Sequence, residues 1–195
     1  MSLKKESNFK ESAVIRIVLF SLGTLIFTWL SRRALMNPGS HGFYRFFVFE
    51  GILLLVLLNH PYWFVEPMSP QHLISWSFLL VSIVFIIQAL LMFKREGGYS
   101  ERQDMPENFS FENTAHLVET GLYRYIRHPM YSSLLFLAWG AFLKHITPLT
   151  SMLILAVSGF LTACARVEER ENIRFFGSVY DEYMQRTGMF IPRLF

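Results

Sequence analysis

The chain has 195 residues, 52% of them hydrophobic and only 17% charged, with 20 Phe and a formal net charge of +3. Soluble domains average roughly 25% charged residues, so the composition excludes an ordinary water-soluble domain and indicates an integral membrane protein. The single cysteine, Cys164, excludes an intramolecular disulfide and any multi-cysteine metal site; no metal and no nucleic-acid partner is expected.

Taken in order, the first apolar segment runs from Ala13 to Met36, broken only by Arg16 near its start and Arg32 and Arg33 near its end. Long cationic side chains at those places reach the headgroup layer. Lys4, Lys5 and Lys10 precede it in the manner of a signal peptide, but the run is too long for a signal core and no small-x-small cleavage pattern follows. It reads as an anchor. Phe43 to Asn59 carries Arg45 and Glu50 on its first turns and then an unbroken apolar run to Leu58, which makes a second span. Pro67 to Phe93 and Ile146 to Ala165 contain no Asp, Glu, Lys or Arg, and each reaches the ~20 residues a helix needs to cross the hydrocarbon. Between them Tyr131 to Leu143 is short, but the Lys144-His145 break before the next apolar run predicts a helical hairpin. The expected fold is all-α and polytopic, with about five transmembrane helices, the last two a tight pair, and a small cytosolic helical cap. Residues 1–195 form a single membrane domain, with three N-terminal helices in 1–93 and the chemistry in 94–195.

The basic residues orient it. Arg32, Arg33 and Arg45, then Lys94, Arg95, Arg102, Arg124 and Arg127, then Arg166, Arg170, Arg174, Arg186 and Arg193 all fall on one side, whereas the loop from His60 to His72 has no Lys or Arg. That side is expected to be cytoplasmic, in a plasma or inner membrane, with the N-terminus outside.

Polar material gathers in two cytoplasmic segments. The first, Lys94 to Pro129, contains Gly97-Gly98 and Pro106 and ends in a dense block of aromatic, cationic and imidazole groups: Gly121, Tyr123, Tyr125, Arg127, His128, Pro129 and Tyr131. Pro129 suits the first position of the following helix. With His116 nearby, these convergent groups are what a ligand pocket requires. The second segment begins with Glu168-Glu169, directly after an uncharged crossing, where a carboxylate is costly unless paired or functional. Helix salt bridges with Arg166 or Arg170 are the structural alternative. Further on, Ile173, Phe176, Tyr180 and Tyr183 recur at helical spacing as a stripe that packs the cap, and Arg166, Arg170 and Arg174 form another that faces lipid headgroups. No Gly-rich phosphate loop, HExxH or Gly-x-Ser-x-Gly is present, so nucleotide, zinc and triad hydrolysis have no support.

The series Leu117-Val118-x-x-Gly121-x-Tyr123-x-x-x-Arg127-His128-Pro129-x-Tyr131, followed by Glu168-Glu169 and by Phe176-Gly177-x-x-Tyr180-x-x-Tyr183, resembles the C-terminal signature of the isoprenylcysteine carboxyl methyltransferases and related phospholipid methyltransferases. The resemblance covers roughly residues 114 to 193. It implies a membrane enzyme that uses S-adenosylmethionine in a cytosol-facing pocket, while a lipophilic substrate enters from the bilayer. By position it puts cofactor contacts on Leu117, Val118, Gly121, Tyr123, His128, Pro129 and Tyr131, to which His116 and Glu169 are added, and it puts the active-site carboxylate at Glu168. Two positions depart from the pattern: Ala115 stands where the family usually has His, and Cys164 where the isoprenylcysteine enzymes tend to carry Arg. Arg166 is the candidate substitute for that second cation. A carboxylate acceptor needs no base, whereas an amine acceptor would make Glu168 a general base.

Two other classes share features of this chain. Membrane sterol and enone reductases, which bind NADPH, have a similar Arg-His-Pro-x-Tyr pattern; a non-enzymatic lipid-binding protein is the third reading. The methyl acceptor and the oligomeric state are open at this stage.

Overall fold

The computed structural model describes residues 2–98 and 114–192, with side chains from residue 13 onward. Arg102, Pro106 and Arg193, and the side chains of Lys4, Lys5 and Lys10, lie outside the described residues. Six α-helices follow one another: α1 (Ser2–Leu35), α2 (His41–Asn59), α3 (Pro70–Met92), α4 (Pro129–Phe142), α5 (Pro148–Phe176) and α6 (Ser178–Arg186). Their starts are written locally. Ser40 caps α2 by accepting from the Phe43 N–H, Ser69 caps α3 from the His72 N–H, and Thr147 with Thr150 forms a reciprocal capping box on α5. Proline follows the cap in α3, α4 and α5, where its missing N–H costs nothing.

Four stretches are long and apolar enough to cross a bilayer: Ala13–Leu35, His41–Tyr62, Pro70–Gly97 and Pro148–Phe176. The chain is a polytopic membrane protein. Helix α4 has 14 residues, about 21 Å of helix, short of the ~30 Å hydrocarbon layer. It nevertheless runs from one end of the bundle to the other. His128 at its start faces Glu168, while Ala141 and Phe142 at its finish accept the Asn59 Nδ2 at 2.8 and 3.2 Å.

The expected pairing of α4 with α5 is present but secondary, since α4 lies chiefly along α3 and α5 chiefly along α2. Glycines set these close approaches. A Cβ on Gly51 of α2 would stand 2.5 Å from Val157 Cγ2 of α5, and one on Gly140 of α4 would stand 2.8 Å from Leu79 Cδ2 of α3. Val48, Leu55, Ile154, Val157 and Leu161 fill the buried seam. Helix α1 lies on α2, where Thr24 donates to Glu50 Oε2 at 2.8 Å. Glu50 is the tenth residue of α2, halfway along the helix and not on its opening turns as expected.

At the end where α5 finishes, the chain folds back over the bundle. Gly177, with φ +64°, turns α5 into α6. The tail is then sewn to the segment before α4: Arg127 N–H donates to Gly188 O at 2.8 Å, His128 N–H to Met189 O at 3.1 Å, and Ser132 Oγ to Phe190 O at 2.9 Å.

Candidate active site

The last turns of α5 emerge among α2, α6 and the segment before α4, and because successive helical residues point about 100° apart, their carboxylates take different partners. Glu169 is buried at 6% exposure. It accepts from Arg127 Nε at 2.6 Å, and Arg127 NH1 also donates to the carbonyls of Met184, at 3.0 Å, and Thr187. One guanidinium therefore ties α5 to the end of α6 and the tail. Glu171 turns to α2, where the His41 N–H donates to its Oε1 at 3.1 Å and His41 Nδ1 meets its Oε2 at 2.5 Å. Glu168 keeps 27% side-chain exposure, with Oε2 3.8 Å from His128 Nδ1. These long-range pairs replace the helix salt bridges to Arg166 and Arg170 that the sequence offered; both arginines are exposed.

His128 is buried and stacks on Tyr131 with ring centroids 5.3 Å apart. Its Nε2 lies 3.4 Å from Glu169 Oε1 but is not aligned as a hydrogen bond, so a buried imidazole nitrogen is left without a hydrogen-bond partner. The Tyr123 hydroxyl is a second such group. Its ring stacks on Phe93 at 5.0 Å, and its backbone carbonyl accepts from the Tyr183 hydroxyl at 2.6 Å. Buried polar groups are seldom left orphaned without a functional reason.

These groups surround a cavity of about 40 Å3 walled by Leu117, Val118, Tyr123 and Glu168, and by Phe93, Asn172, Phe176 and Tyr180 from the flanking elements. Burial first, then the charge of Glu168, raises the Tyr123 and Tyr180 phenols above their ordinary range, and burial does the same for Tyr183. All three are neutral hydrogen-bond donors at physiological pH. Beside the cavity, and sharing Tyr183 with it, a more open hollow of about 670 Å3 lies between the Glu119–Tyr125 turn and Arg186.

The structure gathers eight of the expected site residues. Leu117, Val118, Tyr123 and Glu168 line the cavity; His128, Tyr131 and Glu169 adjoin it; Pro129 starts α4 beside them. Gly121, at φ +57°, instead makes a tight turn against Met92, whose Sδ would stand 3.1 Å from a Cβ there. His116 and Arg166 are exposed, and Arg166 is two residues from Glu168, about 200° round the helix. Sequence reasoning missed Asn172, Phe93 and the paired role of Arg127. It read Phe176, Tyr180 and Tyr183 as packing only, yet all three line the cavity. Their helical spacing after the carboxylates was the signal available.

A family model described as phospholipid methyltransferase matches residues 71–179, more than half of the chain. The protein-S-isoprenylcysteine O-methyltransferase of Saccharomyces cerevisiae is 38% identical over 77 residues, 39% of this chain and 32% of that protein. A methanethiol S-methyltransferase from a Pseudomonas species is 25% identical over 160 residues, 75% of this chain and 58% of that protein. Methanethiol S-methyltransferase 2 of Bradyrhizobium diazoefficiens is 32% identical over 74 residues, 38% of this chain and 28% of that protein. The matched part thus spans between about a third and three fifths of the length of these relatives. No solved structure matches the chain at a comparable level.

Proposed function

We propose, from the premise that the chain belongs to the phospholipid methyltransferase family, that it transfers a methyl group from S-adenosylmethionine to a lipophilic acceptor at the membrane–cytosol boundary. The observation that carries the reading is the cavity where a part-exposed carboxylate, Glu168, meets two orphaned buried polar groups, the Tyr123 hydroxyl and His128 Nε2.

The donor set fits the cofactor. When bound, S-adenosylmethionine supplies an electrophilic methyl group on a sulfonium cation. The ring faces of Tyr123, Phe93 and Tyr180 would hold such a cation, at about 0.5 to 2 kcal/mol for each favourable contact, and Glu168 adds an opposite charge. Leu117 and Val118 offer apolar walls. The Tyr123 hydroxyl and His128 Nε2 are left to bond the polar parts of the ligand. Size sets a further condition. Ligand pockets measure about 300–1,000 Å3, against about 40 Å3 here, so binding has to part the Leu117–Val118 segment from α5 and α6.

Methyl transfer depends on in-line placement and exclusion of water more than on covalent help. The relatives' names give an oxygen acceptor in one case and a sulfur in the others. In this chain Glu168 is the group placed to orient the acceptor, and it takes the proton where the acceptor arrives as a thiol or an ammonium. Glu169, held by Arg127, fixes the His128 ring and so acts as a positioning residue.

Calorimetry on purified, detergent-solubilised protein separates the readings. S-adenosylhomocysteine should bind and NADPH should not, with His128→Ala weakening the former severalfold. Binding of NADPH alone would favour a reductase, and binding of neither a non-enzymatic lipid-binding role.

A further inference from the structure

A second cavity, of about 460 Å3, lies at the opposite end of the bundle from Glu168 and goes beyond the proposed methyl transfer. Arg16 of α1, Leu58 and Asn59 at the end of α2, Tyr62 and His145 in the two turns, and Leu149 of α5 contribute to its wall. Leu149 and Glu168 are 19 residues apart on one continuous helix, about 28 Å, so no single small ligand touches both sites. We propose that this cavity binds the headgroup of a glycerophospholipid from the leaflet on that side, with the phosphate against Arg16.

Four observations support it. First, the volume lies within the ligand-pocket range of about 300–1,000 Å3. Second, the wall contains a guanidinium and no carboxylate, and a planar fork of N–H donors matches phosphate oxygens in pairs. Arg16 is the fourth residue of the span that begins at Ala13, the depth at which a cation reaches headgroup phosphates. The neighbouring cation is engaged elsewhere, since Lys144 Nζ sits 3.3 Å from the Trp76 ring centroid and 5.7 Å from that of Trp63.

Third, Asn59 is 1% exposed. Its Nδ2 is spent on the carbonyls of Ala141 and Phe142, while its Oδ1 has no donor among the described residues. A headgroup with a hydroxyl or ammonium beside its phosphate supplies that donor. Fourth, the apolar part of the wall opens toward hydrocarbon. Leu149 is exposed, and so are Ile17 and Val18 beside Arg16 on α1, which gives an acyl chain an apolar path away from the phosphate. The flat stack of Tyr62 on His145, with centroids 3.7 Å apart, keeps that part of the wall rigid. A free phosphate would use the guanidinium and nothing else in the cavity.

The test is lipid retention. Wild type, Arg16→Gln and Leu149→Trp are purified in mild detergent, and bound phospholipid per chain is measured by mass spectrometry. Leu149→Trp fills the cavity from an exposed position and leaves the charge in place. The wild type should retain a tightly held phospholipid, and both variants should lose it severalfold. In the delipidated wild type, phosphatidylglycerol should raise the melting temperature more than phosphatidylcholine, whose headgroup has no donor, and the rise should vanish in Arg16→Gln. Equal lipid retention in all three proteins would overturn the proposal. So would an equal stabilisation by inorganic phosphate, which would make the ligand a soluble anion.

Discussion

Replacing either member of the Arg127–Glu169 pair should unfold the site as well as disable it. The two groups meet at 2.6 Å with side-chain exposures of 6% and 8%, so neither recovers solvation when its partner is removed. Breaking a buried pair by deleting one member costs about 3–5 kcal/mol, a factor of roughly a hundred to several thousand in the unfolding equilibrium. Arg127→Gln should lie at the upper end, because it also strands the carbonyls of Met184 and Thr187, and with them the hold on α6 and the tail. Glu169→Gln should lie at the lower end, since Arg127 retains both carbonyls. The assay is reversible denaturation in mixed micelles followed by tryptophan fluorescence, with the double variant closing a thermodynamic cycle. Losses below about 1 kcal/mol for both single variants, the scale of an exposed ion pair, would show that the pair is solvated and that the proposed anchoring of His128 is wrong.

Three further outcomes are expected. Gly51→Ala should destabilise the bundle by about 1–3 kcal/mol through overpacking, because the new Cβ meets stiff, β-branched Val157; an unchanged denaturation midpoint would mean that α2 and α5 lie farther apart. The phenols of Tyr123, Tyr180 and Tyr183 are raised by burial, so folding favours their neutral forms: their contribution to stability is complete below pH about 10 and is lost as pH rises through the folded values. Ultraviolet titration at pH about 11 should show fewer tyrosinates in the native than in the unfolded protein, and identical titrations would remove the burial argument. In a Cys164→Ser background, a cysteine at the exposed Met68 should react with an impermeant thiol reagent added outside intact cells and one at the exposed Val179 should not; the reverse would put the carboxylate cluster on the wrong side of the membrane.

The spans were legible because uncharged runs of the right length have few other uses, and the caps and prolines that start α3 and α5 are written next to them. The short α4 was readable as a helix from Pro129 and the Lys144-His145 break, but its main partner was not, because packing on α3 depends on Gly140 facing Leu79 across 61 positions of sequence. The same distance problem hid the ion pairs. Glu169 had arginines three and one residues away along α5, yet its partner is Arg127, 42 residues earlier, and Glu171 reaches His41, 130 residues earlier. Local spacing proposes i, i+3 and i, i+4 partners and cannot see those that tertiary packing brings in. Arg166 illustrates the converse: adjacent in sequence to the site carboxylates, it is turned outward by helical geometry. The aromatic stripe of Phe176, Tyr180 and Tyr183 was visible as a stripe, but whether it faced a packed cap or a cavity depended on the Thr114–Tyr123 segment laid across it.

The most direct measurement is transfer of a labelled methyl group from S-adenosylmethionine to lipid-extractable acceptors, run with the wild type and Glu168→Gln in the same membranes and paired with S-adenosylhomocysteine affinity for each. The account predicts label in the wild-type extract, loss of about a hundredfold or more in Glu168→Gln, the scale of a positioned acid or base, and little change in affinity. Near-normal transfer by Glu168→Gln would contradict it, as would transfer lost only in step with cofactor affinity.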